Sequence, residues 1–134
     1  MNLEISFSEI KMFLKNKFNI KIGLNNKKHS QVLIDIPHLL LLIEIKEVKT
    51  NAVVLEYKAG SLFSKAKIWF FSSKVDEIIE KVNSPMLQFD KNKSEILIDL
   101  SNIDKLEEIL SILSISEIYF VSKSIKIVLK FVDS

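Results

Sequence analysis

Carboxylates and two histidines are the side chains of this sequence best suited to acid–base or metal chemistry, and their spacing offers little of either. His29 sits in a polar turn and His38 directly follows Pro37; neither has the i, i+4 partner or the adjacent Cys or Asp that metal sites favour. Asp76, Glu77 and Glu80, and again Asp104, Glu107 and Glu108, recur at one-turn spacing on predicted helices, where acids complement the helix dipole and keep the outer face wet. Asp35, Glu44 and Asp99 are more suggestive, because each stands inside an apolar strand (LIDI, LIEI and LIDL). They converge only if those strands are adjacent and share a face, and acid–base work by such a pair also needs a cleft and a raised pKa. An exposed sheet face is the simpler expectation.

Other reactive groups are missing or isolated. Cysteine is absent, which removes disulfides, thiolate catalysis and cysteine metal sites. The two glycines, Gly23 and Gly60, stand alone, so no glycine-rich loop brings successive N–H groups to a phosphate. None of the sixteen serines lies in a nucleophile elbow, and most fall where caps and turns want them. The expectation is therefore a protein that is not an enzyme, with no catalytic residue, no metal site and no cofactor.

All 19 basic residues are lysines, against 17 acids, for a formal charge of +2. A sequence-specific nucleic-acid binder is expected to use arginine forks, and a non-specific one a larger positive excess. Lys11, Lys15, Lys17, Lys21, Lys27 and Lys28 form a local excess, but without interleaved exposed aromatics of the kind that stack bases. Nucleic acid ranks third among the partners considered.

These side chains must be positioned by elements that the apolar pattern makes visible. A length of 134 residues, 48% of them hydrophobic and 27% charged, suits one folded domain over residues 1–134 rather than a disordered chain. No uncharged run exceeds eight residues and residues 1–11 lack the apolar core of a secretory signal, so neither a transmembrane segment nor export is expected and a cytoplasmic location follows by default. At the start, Leu3 to Phe7 alternates like a strand, Ser8 reads as an N-cap, and Ile10, Phe13, Leu14 and Phe18 follow helical spacing. Ile20, Ile22 and Leu24 return to alternation, the polar stretch Asn25 to Ser30 reads as a turn, and Val32 to Ile36 follows as a strand. The other end repeats this grammar. A strand at Ile96 to Leu100 leads through Ser101 to a helix with Ile103, Leu106, Ile109, Leu110 and Leu113 on one face, then to a hairpin across Ser122 to Ser124. Between the ends lie a hairpin of Leu39–Val48 with Ala52–Lys58, and another of Met86–Phe89 with Glu95–Leu100. The fold class expected is α+β: a mainly antiparallel sheet of about nine strands with two or three helices on one face and strand-Ser-helix-strand-strand units at both ends.

The segment from Leu62 to Val82 has more apolar surface than one buried face needs. At about 100° per residue, Ile68, Phe71, Val75, Ile78, Ile79 and Val82 form one stripe, and Leu62, Phe63, Ala66, Trp69 and Phe70 a second on the opposite side. A strand over 65–71 is the rival reading, in which case the aromatics are plain core; the helix is preferred because five apolar residues fall on the second stripe without exception. That stripe, edged by Lys65, Lys67 and Lys74, resembles an interfacial pattern in which aromatics enter the acyl boundary and lysines meet headgroups. The function expected is a non-catalytic binding module holding a lipid-like, hydrophobic ligand or making peripheral membrane contact through Leu62, Phe63, Lys65, Ala66, Lys67, Trp69 and Phe70. The alternative is a homo-oligomeric structural or protein-interaction domain that uses the same surface against a second copy.

Overall fold

The computed structural model of the chain describes residues 1–36, 39–59, 73, 75–82, 84–102 and 104–131. Among these, nine strands build two antiparallel sheets. The larger contains β2 (Gly23–Lys28), β3 (Gln31–Ile36), β4 (Leu39–Val48), β5 (Ala52–Ala59), β6 (Leu87–Asp90) and β7 (Glu95–Asp99), in the order β2-β3-β4-β5-β7-β6. The smaller contains β1 (Asn2–Ser6), β8 (Leu113–Val121) and β9 (Ser124–Phe131), in the order β1-β9-β8. Helices α1 (Phe7–Phe18), α2 (residues 75–81) and α3 (Asp104–Ile112) complete the described elements, with a 3-10 turn at Leu100–Asn102 ahead of α3.

The mixed, antiparallel character expected from the apolar pattern is present, but the strands divide between two sheets. The repeated grammar at the two ends explains how. β1 belongs to the small sheet and α1 carries the chain from it to β2 and β3 of the large one, whereas β7 belongs to the large sheet and α3 carries the chain back to β8 and β9. α1 and α3 are thus crossovers between sheets, and the helices do not share one face. α1 and α2 cover the large sheet through Phe7, Ile10, Val75, Ile78 and Ile79, which pack with Val32, Leu41, Ile43 and Tyr57. α3 sets Leu106, Ile109 and Leu110 against Ile115, Ile127 and Leu129 of the small sheet. A third cluster of Ile20, Ile22 and Val82, sealed by Leu14, Phe18, Leu87 and Phe89, closes the far end of α1.

Three local details differ from the sequence reading. The N-cap of α1 is Ser6 and not Ser8: the Glu9 N–H donates to Ser6 Oγ at 3.1 Å and the Ser6 N–H donates to Glu9 Oε1 at 3.3 Å, a reciprocal capping box that Ser8, with Lys11 three residues on, cannot form. Asn19 ends the helix in the left-handed region at φ 54°, its N–H directed at the carbonyls of Leu14 and Lys15. Asn25 to Lys28, polar throughout, continues β2 and does not turn: its backbone pairs with β3, and its side chains are exposed at the edge of the sheet, where no core demands apolar residues. Ser101 lies inside the 3-10 turn, where its N–H donates to Asp99 Oδ1 at 3.0 Å, and α3 begins at Asp104.

The sheets are joined by backbone hydrogen bonds. The Ile115 N–H donates to the Thr50 carbonyl at 2.8 Å and the Phe120 N–H to the His29 carbonyl at 2.7 Å, so β8 runs across the β4–β5 and β2–β3 turns at one end of the large sheet. Phe120 also enters the core there, its ring edge-on to Phe7 with centroids 6.4 Å apart. Because α1 starts at this junction, its cap is a sensitive point: Ser6→Ala is expected to lower the unfolding free energy by about 1 kcal/mol in urea denaturation, with an unchanged denaturant slope.

Candidate functional site

Leu62, Phe63, Lys65, Ala66, Lys67, Trp69 and Phe70, the predicted ligand or interface residues, lie outside the described residues, as do His38 and the helix-or-strand choice over 65–71. Of the opposite apolar stripe, Ile68 and Phe71 also lie outside the described residues, while Val75 and Val82 are buried and Ile78 and Ile79 are partly buried in the core clusters of the large sheet.

The three strand carboxylates share a sheet face but do not meet. Asp35 stands opposite Leu40 and Gly23, Glu44 opposite Gln31 and Glu56, and Asp99 opposite Ala52. Register instead assembles a row that no sequence spacing announces, with Gln31, Glu44, Glu56, Glu95 and Asp90 side by side across β3, β4, β5, β7 and β6. Directly opposed like charges destabilise a sheet, and two partners offset this: Gln31 Nε2 donates to Glu44 Oε1 at 3.3 Å, and the Lys46 ammonium is ion-paired with Glu95. The hydrogen bond and charge of Glu95 hold the Lys46 pKa above its ordinary value. Among the described residues no three His, Cys, Asp or Glu side chains are placed to hold a metal ion.

Apolar surface offers more. Among the described residues the large hydrophobic side chains left exposed are Met1 (67%), Met12 (63%), Phe13 (44%), Ile112 (63%) and Phe131 (75%). Met1, Ile112 and Phe131 come together around one groove of about 530 Å³, whose other lining residues are Ile109, Leu113, Leu129 and Lys130. The groove follows from local connectivity. α3 passes into β8 at Leu113 with no intervening loop, so Ile112 projects on the side away from Leu106 and the core. Met1 is drawn alongside β9 by the Leu129 N–H, which donates to the Met1 carbonyl at 2.8 Å, and by the Met1 ammonium, which donates to the Leu129 carbonyl at 3.2 Å. Leu129, 3% exposed, forms the floor, and among the described residues Lys130 supplies the one charged side chain of the lining. Neither Ile112 nor Phe131 is among the residues singled out from sequence. The available signal was that Ile112 falls off the apolar stripe of its helix.

A second void, about 40 Å³, lies between α2 and the large sheet beside Leu41, Tyr57, Val75 and Phe89, and its size suits packing slack and not a ligand. Tyr57 is buried there, and burial raises its pKa above 10.0, with Asp76 and Asp90 adding to the shift and Lys91 opposing it.

The chain matches no protein-family model, no curated protein and no solved structure. Among the described residues no helix is long and apolar enough to cross a membrane.

The burial of Tyr57 has a consequence for pH dependence. A phenol whose folded pKa is raised is neutral in both states below pH 10.0, so its stabilising contribution is complete there; above that value the unfolded chain ionises first and the contribution is lost. Denaturation curves collected from neutral to strongly alkaline pH should show stability falling more steeply in the wild type than in Tyr57→Phe once pH passes 10.0.

Proposed function

We propose that the protein is a single-domain, cytoplasmic, non-catalytic binding module that holds an apolar, chain-like ligand in the groove of Met1, Ile109, Ile112, Leu113, Leu129 and Phe131. The observation that carries this reading is that three of the five large hydrophobic side chains exposed among the described residues converge on one concavity. A volume of about 530 Å³ falls in the range of small-molecule sites, which are mostly apolar with few polar groups at the mouth. Covering an exposed Ile, Met or Phe side chain contributes about 1.5–3 kcal/mol, so such a ligand gains most of its affinity from these walls. Lys130 at the rim favours an acidic end group over a neutral one. The aromatic segment from Leu62 to Phe70 belongs to the same proposal as a second apolar surface with lysines beside it.

One observation favours self-association as the second reading. β1 is an edge strand of the small sheet beside the groove, and Phe131 is 75% exposed at its rim. Two copies related by a twofold axis would place each Phe131 in the other's groove.

Native mass spectrometry of freshly purified protein, with and without added dodecanoic acid, separates the two. The expected result is a monomer that carries bound acid, with binding lost in Phe131→Asp and Ile112→Asp. A dimer that takes up no acid and falls apart in the same variants would replace the ligand reading with self-association. A bare monomer unaffected by the acid would remove both.

A further inference from the structure

We infer that α1 docks the protein on anionic lipid surfaces, Met12 and Phe13 entering the headgroup boundary while the surrounding lysines meet the lipid phosphates. This rests on a different part of the molecule from the groove, because α1 leaves β1 at Ser6 whereas the groove lies at the Met1 end of that strand.

The first observation is charge. Residues 7–28 hold six lysines and one acid, Glu9, while the rest of the chain holds 13 lysines and 16 acids. The near-neutral total therefore conceals a basic stretch of sequence, from α1 through β2, and an acidic remainder. Lys11, Lys15, Lys17, Lys21, Lys27 and Lys28 are all exposed. The second observation is apolar surface that the core does not use. Phe7, Ile10, Leu14 and Phe18 turn α1 toward the large sheet and the far-end cluster, yet Met12 is 63% and Phe13 44% exposed among the lysines. A helix with a lysine-rich outer side from which large apolar residues protrude fits the interfacial pattern, in which the apolar residues insert and the ammonium groups stay at headgroup level.

The arrangement of Lys17 separates a lipid surface from a nucleic acid. Its ammonium lies 5.5 Å from the Phe13 ring centroid and 5.8 Å from that of Phe18, and the two rings pack edge to face at 6.1 Å. A lysine over one face of each ring crowds the platform that a stacked base needs, whereas a cation held at the level of two aromatic rings is already placed for a phosphate above an acyl boundary.

The test is co-sedimentation of the full chain with vesicles of phosphatidylcholine alone and of phosphatidylcholine mixed with phosphatidylglycerol, using variants whose thermal unfolding matches the wild type. Binding is expected only to the vesicles containing phosphatidylglycerol. It should fall about a hundredfold in Lys11→Gln/Lys15→Gln/Lys17→Gln, from roughly fivefold per lysine near such a surface. It should weaken in Met12→Ser/Phe13→Ser and persist in Phe131→Asp, which alters only the groove. The inference is overturned by no binding to the anionic vesicles, by equal binding of wild type and α1 variants, or by loss in Phe131→Asp alone. It is equally overturned if a duplex or single-stranded oligonucleotide competes the protein off the vesicles while Met12→Ser/Phe13→Ser binds them as well as wild type.

Discussion

Two N–H groups on β8 decide where most of the molecule's surface ends up. β8 is an edge strand of the small sheet, and an edge presents unpaired donors that must be satisfied by water, by another chain or by the fold itself. Here Ile115 and Phe120 donate to the carbonyls of Thr50 and His29, in two turns at the same end of the large sheet. The β8–β9 turn adds a further tie, since the Phe7 N–H donates to the Lys123 carbonyl at 2.9 Å, directly where α1 begins. Side chains then follow the backbone: Phe120 reaches the core of the large sheet, and Val48 and Ile98 of the large sheet pack into the core of the small one. With the sheets fixed this way, α1 and α3 have little choice of path. The exposed apolar surface at the end of α3 and along α1 is a consequence of those paths.

Much of this plan is legible in the sequence because its local signals agree with one another. The β4–β5 and β6–β7 hairpins stand where the apolar alternation and polar turns put them, and a helix follows the first strand at each end. What the sequence does not show is which sheet a strand joins, because that depends on bonds between residues far apart, such as Phe120 with His29. Alternation describes a strand's two faces and is silent about its neighbours.

The glutamate row shows the same limit at the scale of one residue. Next to the β4–β5 turn, Val48 pairs with Val53, and continuing that register would set Glu44 opposite Tyr57. A bulge between Ile45 and Glu47 shifts the pairing by one, so Glu44 meets Glu56 instead, and Glu56 meets Glu95 on the next strand. Neither the bulge nor its effect is encoded in a recognisable motif. Exposed apolar residues are more accessible to sequence reasoning than that: Ile112 and Met12 each fall outside the apolar stripe of an otherwise regular helix, a departure from amphipathic order that marks surface kept for something other than the core. Phe13 is the counterexample, fitting the stripe of α1 by spacing yet remaining 44% exposed at its margin.

Amide hydrogen exchange, resolved residue by residue by NMR, tests the junction most directly. If β8 ties the sheets together, the Ile115 and Phe120 amides exchange only through global unfolding, as slowly as the ladder amides shared by β4 and β5. Exchange of both amides at the rates of exposed loop residues, with the β4–β5 ladder still protected, would contradict the account and leave the placement of α1 and α3 without its physical basis.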